Sequence, residues 1–286
     1  MALYRLHEPD EPLVAPAIVA AFDGWIDAGG ASTAAADHIA AGAEPFVSFD
    51  SDLLYDYRSR RPVLDIVDGT LTELTWPQLT MKRARIGRRD LVVLTGPEPD
   101  FRWRELGRDV REIASRFGVL EWVSLGAIPA AVPHTRTVPI LATASKPGLL
   151  HEDEQQGPQG LLRVPSAALS TLELELSNSI PTVGFYAQVP HYVGGSYPAA
   201  TIAILEHAAR HLDVELPLGP LAEEAMTQRQ RLDAAVAADD DSRTYVERLE
   251  TVVDNEELPT GDELVSEIER FLKQRDGGGT GQGPLT

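Results

Sequence analysis

Apolar residues run unbroken from Ala17 to Phe22, stop at Asp23-Gly24, and give way to an alanine-rich stretch from Ala31 to Ala41. A short apolar run closed by a turn signal and followed by strong helix formers predicts a buried strand, a loop and a helix. The pattern recurs at Leu91 to Leu94. Beyond Gly96-Pro97-Glu98-Pro99-Asp100, the residues Trp103, Leu106, Val110, Ile113 and Phe117 return every three or four positions, the stripe of an amphipathic helix. Trp122 to Leu125 and Val138 to Thr143 predict two further strands, joined by a loop holding Pro129, Pro133, His134 and Arg136. Thr182 to Tyr186 predicts another strand, which leads through His191 to Pro198 into a helix with Ile202, Leu205, Ala209 and Leu212 on one face.

Strands alternating with helices predict an α/β protein with a mostly parallel sheet covered on both faces. Between Pro62 and Arg85, Asp68-Gly69 separates two β-rich runs and predicts a hairpin, so the sheet is expected to be mixed at that edge. Pro217, Gly219 and Pro220 then end the strand signals. The expected division is an α/β core over residues 1–216, a helical extension over 217–275 and a disordered Gly-rich tail over 276–286. The extension reads as a small helical hairpin interrupted by the solvated run Asp239 to Asp241. A capping box from Thr260 to Glu263 opens a last helix bearing Leu264, Ile268, Phe271 and Leu272.

Composition narrows the function classes. With 43% hydrophobic and 24% charged residues in 286, the chain has the make-up of a globular protein with a large core. A formal charge of -19 repels polyanions and anionic membrane surfaces, which argues against nucleic acid as a partner. The lack of cysteine excludes disulfides, thiolate nucleophiles and Cys-ligated metals. The acidic, proline-punctuated start differs from a signal peptide, and the apolar stretch from Leu13 to Phe22 is about half a membrane span, so a cytoplasmic protein is expected.

In open α/β sheets, ligands bind beyond the carboxyl ends of the strands, which directs attention to the loops that follow them. The candidate ligand-binding residues there are Asp23, Trp25, Asp27, Gly29, Gly30, Glu98, Arg102, His134, Arg136, His191, Tyr192 and Ser196. Gly24 and Gly29 have phosphate-loop spacing, but Gly30 and Ala31 stand where that motif requires Lys and Ser or Thr. Helix N–H groups there could cradle an anion, against the repulsion of Asp23 and Asp27; the alternative is a purely structural turn. Ser196 sits in a loose likeness of a nucleophile elbow, but it reads more simply as a helix cap ahead of Pro198 at the first turn. His191 is a candidate base or an ordinary loop histidine. Arg136 offers a fork for carboxylate or phosphate, or else pairs with one of the chain's many acidic groups. Glu98 ahead of a helix is a candidate hydroxyl acceptor. The residues His151 to Glu154 read as an exposed loop. No catalytic set is complete, and no cofactor or metal site is indicated.

Four ordered blocks carry a family resemblance: Phe22-Asp-Gly-Trp-Ile-Asp-Ala-Gly-Gly30, Leu94-Thr-Gly-Pro-Glu-Pro99 with Trp103, Ser124-Leu-Gly-Ala127 with Pro133-His-Thr-Arg136, and Gly184-Phe-Tyr186 through Tyr197-Pro198. Together they resemble the actinobacterial branch of the proteasome assembly chaperone 2 family over nearly all of residues 1 to 275. The resemblance implies a three-layer α/β/α fold similar to purine nucleoside phosphorylases, assembly as a homo-oligomer such as a trimer, and a protein-binding, chaperone-like role with proteasome α-type subunits as partners. No phosphorylase phosphate site transfers residue by residue. The alternative is a nucleoside-like small-molecule binding protein, or a hydrolase- or phosphorylase-type enzyme, using Trp25, Glu98, His134, Arg136 and His191. A third possibility is a scaffold whose oligomer is the functional unit.

Overall fold

A computed structural model of the chain describes residues 2–154, 156–157 and 160–254. The helix expected after Thr260 and the tail from Asp276 lie outside the described residues. In chain order the elements are β1 (Tyr4–Leu6), β2 (Ala17–Asp23), α1 (Ala31–Ile39), β3 (Pro45–Phe49), α2 (Ser51–Leu54), β4 (Val63–Val67) and β5 (Thr70–Thr75). They continue with β6 (Thr80–Ile86), β7 (Arg89–Pro97), α3 (Trp103–Arg116), β8 (Glu121–Ala130), β9 (Ile140–Ala144), α4 (Ala168–Ser177) and β10 (Thr182–Pro190). Three helices close the described chain: α5 (Pro198–Leu212), α6 (Leu221–Ala237) and α7 (Asp240–Asp254).

Eight strands form one sheet in the order β1-β3-β6-β7-β2-β8-β10-β9. The central strands β7, β2, β8 and β10 are parallel, while β6, β3 and β1 on one side and β9 on the other join by antiparallel pairing. The continuous apolar run of β2 follows from this central place. Ala17, Val19 and Ala21 enter a core with α1 and α5, while Ile18, Ala20 and Phe22 enter a second core with α3 and α4. Helices on both faces complete the α/β/α layers.

The hairpin at Asp68-Gly69 is present, with both turn residues in the left-handed region at φ 50° and 77°, as a two-residue turn requires. However, β4 and β5 pair only with each other and form a separate ribbon. The mixed edge of the main sheet comes from β6 and β3 instead. Strands β1 and β3 and helix α4 carry no clear signal in the sequence and are additions.

Asp90, wholly buried at the start of β7, receives Arg83 and Arg85 side chains at 2.9 and 2.8 Å and the Val14 N–H at 2.7 Å. Burial alone would raise its pKa; these hydrogen bonds outweigh that and hold it below the usual carboxylate value. The carboxylate is buried while the two arginines stay partly solvated, so each arginine can be lost without leaving Asp90 unpaired. It ties the loop before β2 to the β6–β7 edge.

Candidate functional site

The carboxyl ends of the four parallel strands gather the candidate loops, and the structure divides them into two groups. The first follows β2 and β7. Here Asp27 turns back onto its own helix: Oδ1 accepts from the Ser32 N–H at 2.8 Å, the Ser32 hydroxyl at 2.6 Å and the Thr33 N–H at 3.2 Å, and Oδ2 accepts from the Thr33 hydroxyl at 2.5 Å. The anion cradle suggested by the glycine spacing is therefore filled by the chain's own carboxylate, which supports the structural turn. Gly29, at φ 65°, accepts the Tyr197 N–H at 3.0 Å, and a Cβ there would stand 2.9 Å from that of Tyr197. The close approach joins the first loop to the β10–α5 loop. Gly30, at φ 59°, completes the turn into α1.

Glu98 accepts the Ala168 N–H at 2.7 Å, so its carboxylate caps α4. Asp23 is exposed and meets Arg60 at 3.4 Å. Trp25 packs against the core under α3 and α4. Arg102 holds a left-handed conformation at the start of α3 and pairs with Glu105 at 3.3 Å.

The second group follows β8 and β10, and α6 and α7 pack over it. His134 is buried, with Nδ1 2.7 Å from the Tyr192 hydroxyl and Nε2 3.2 Å from Asp233 of α6. The Asp233 carboxylate can only accept, so Nε2 carries the ring proton and Nδ1 accepts from the Tyr192 hydroxyl, whose oxygen also accepts the His134 backbone N–H at 2.8 Å. Burial, with the nearby Arg229 guanidinium, keeps this histidine below its ordinary pKa, against the pull of Asp233. Arg229 also donates to the His134 carbonyl at 2.9 Å.

His191 lies 3.2 Å from the Ala130 carbonyl through Nδ1 and 3.2 Å from the Tyr245 hydroxyl of α7 through Nε2. The rings of His134, His191, Tyr192 and Tyr245 meet edge to face with centroids 5.7 to 6.3 Å apart. Arg136 presents its fork to Asp254 at 2.8 and 2.6 Å and also reaches Glu250 at 3.0 Å, so its partners are acidic groups of α7. Pro198 opens α5 as expected, but the N-cap is Tyr197 without a side-chain cap; Ser196 instead gives its carbonyl to Gln228 of α6.

The His151 to Glu154 segment is only partly exposed. Glu154 is buried and takes Arg210 of α5 at 3.0 Å. Sequence reasoning also missed a polar cluster on the α4 face. There Glu173 meets the hydroxyls of Ser124 at 2.9 Å, Tyr186 at 3.3 Å and Thr143 at 3.4 Å. The Tyr186 ring lies over Gly126 and Gly184, where a Cβ would come within 2.3 and 2.7 Å of it. Among the described residues no group of three or more His, Asp or Glu side chains is suited to a metal ion, and no helix is long and apolar enough to cross a membrane.

Three solved structures are similar over most of their length. A Mycobacterium tuberculosis protein of unknown function is 33% identical, with 94% of this chain and 96% of that one covered at a TM-score of 0.85. A proteasome-assembly chaperone homologue from the same organism is 36% identical over 80% of this chain and 99% of that one, at 0.74. A PAC2 family protein from Streptomyces avermitilis is 34% identical over 81% and 99%, at 0.73. No protein with a curated description matches. The PAC2 family model matches residues 21–236, which takes in both groups of strand-end loops, and the chain belongs to the PAC2 family.

Proposed function

We propose that this protein is a protein-binding, chaperone-like member of its family that engages proteasome α-type subunits, acts as a homo-oligomer and works in the cytoplasm. The observation that carries this reading is how the strand-end groups are used: Asp27 and Glu98 cap helices, and His134, Arg136 and His191 fasten α6 and α7. Side chains committed to holding helices make a shaped outer surface rather than a reactive pocket. The likeness to a proteasome-assembly chaperone homologue supports the choice of partner. Native mass spectrometry of the purified protein with α-type subunits from the same organism tests it, with a stable mixed complex expected. Subunits that never join it would end this reading.

A second reading rests on a mostly apolar cavity of about 240 Å³ beneath α6, lined by Val138, Ile202 and Leu232 with His134, Tyr197 and Arg229 at its polar side. Aromatic and basic groups around a small space suit a nucleoside-like ligand. A panel of nucleosides that leaves the melting temperature unmoved would discard it.

A further inference from the structure

Helix α7 is bound to the molecule differently from the helices that cover the sheet. It buries only Val246 and Leu249, and α6 buries no residue, whereas α5, which has the same length as α7, buries eight. Val246 and Leu249 belong to neither of the two cores that flank the sheet. Among the described residues, its hold on the strand-end loops is polar or edge to face. The Tyr245 hydroxyl meets His191 at 3.2 Å, Glu250 takes the Thr135 hydroxyl and Arg136 at 3.0 Å, and Asp254 takes the Arg136 fork at 2.8 and 2.6 Å. These ion pairs are partly solvated, with 36% of the Arg136 and 53% of the Asp254 side chain exposed, so each adds little and salt weakens it. An element with so little buried apolar surface opens locally well before the molecule unfolds.

We propose that α7 is a removable occupant of a helix-binding site, and that the site receives an acidic amphipathic helix of a partner protein in its place. The inference rests on the reading that the protein binds another protein, and it names the surface and the kind of partner. The receiving groups are Thr135 and Arg136 in the loop after β8, and His191 and Tyr192 in the loop after β10. They stand at the carboxyl ends of the strands, where open α/β sheets bind their ligands. All four lie within residues 21–236, which the family model matches, while α7 lies beyond that range.

What the site accepts is displayed by α7 itself. The buried pair Val246 and Leu249 marks the inward side of the helix, with Tyr245 on one edge of it and Glu250 and Asp254 on the other. Two carboxylates one turn apart on a helix repel each other, and the Arg136 guanidinium set against both relieves that repulsion. The site therefore selects acidic helices over neutral ones. A partner helix that repeats the ring, the aliphatic pair and the two carboxylates satisfies the same fork, hydroxyl and rings, as in other helix-in-groove recognition. Arginine and tyrosine are also the side chains on which binding energy concentrates at interfaces.

Fluorescence anisotropy of a labelled peptide with the sequence of residues 240–254, titrated with the full-length protein, tests the proposal. The Tyr245→Ala/Glu250→Ala/Asp254→Ala variant loosens α7 and leaves the receiving groups in place, so it should bind the peptide about tenfold tighter than the native protein or more. Asp254→Ala alone is a milder release and should give a smaller gain. Adding Arg136→Ala to the triple variant should reverse the gain by about tenfold. Equal binding by the native protein and both released variants overturns the exchange of α7, and a gain that survives Arg136→Ala overturns the site. Proteasome α-type subunits that bind the native protein and are displaced by excess peptide support the partner helix. Subunits that bind but ignore the peptide overturn this surface and leave the protein-binding reading standing. Peptide exchange with no binding of subunits keeps the site and ends the reading of α-type subunits as partners. If a native oligomer dissociates in the triple variant, α7 is exchanged between copies of the chain and the partner helix is wrong.

Discussion

The carboxylate of Asp27 satisfies two backbone N–H groups and two hydroxyls at the start of α1, a helix whose cap position, Gly30, has no side chain to do so. Asp27→Ala is expected to cost about 1 kcal/mol in thermal denaturation, with Asp27→Asn recovering much of it. A variant that melts like the native protein would mean the turn is held by Gly29 and Tyr197 alone. Glu173 behaves differently. Burial raises its pKa above the ordinary carboxylate value, against opposing hydrogen bonds from Ser124, Tyr186 and Thr143. A raised folded pKa means its contribution is fully present below the unfolded value of about 4.3 and is lost as pH rises through the folded one. Glu173→Gln keeps acceptors for the same hydroxyls without the charge. The gap between the urea midpoints of variant and native protein should move in the variant's favour from about pH 4.5 to about pH 7.5. An unchanged gap would mean that the carboxyl is already solvated.

At the scale of elements, α6 and α7 act as a clasp. Arg136→Ala removes the fork that holds Asp254 and the contact to Glu250, so amide exchange in residues 240–254 should quicken about tenfold while α5 is unaffected. Equal exchange would show that the ring cluster around Tyr245 suffices. His134 makes the same clasp pH-dependent. Its folded pKa lies below the unfolded value of about 6.5, so its contribution is present above that value and is lost as pH falls through the folded one. Titration of its ring by NMR is expected to give a midpoint below that of a model histidine; a higher one would reverse the sign.

The elements also show what a sequence can reveal. The central strands and α3 and α5 were legible because burial on both faces, or on one helical stripe, leaves a strong period. Helix α4 was hidden because Leu172-Glu173-Leu174-Glu175-Leu176 alternates like a strand. Only Leu172 and Leu176, four apart, are buried, while Leu174 is 71% exposed. The edge strands β1 and β3 are short and lack a clear alternation. Of the candidate site, the loops were legible from their place after strands, but not the partners of their side chains. Asp233 and Glu250 lie 99 and 114 residues beyond the groups they hold, and no local spacing encodes such a pairing.

For the molecule as a whole, the charge of -19 is a steady burden on the compact state. Salt shortens the reach of that repulsion to about 3 Å at 1 M, so melting temperature should rise between dilute buffer and high sodium chloride. A fall would show that ion pairs such as Arg136 with Asp254 outweigh the repulsion. The clasp has a temporal consequence too. Arg136 leaves the ribosome 114 residues before Glu250, which at about 5–20 residues per second is on the order of ten seconds. For that interval each newborn chain shows its strand-end loops uncovered, and anything that binds them then must finish before the last helices arrive.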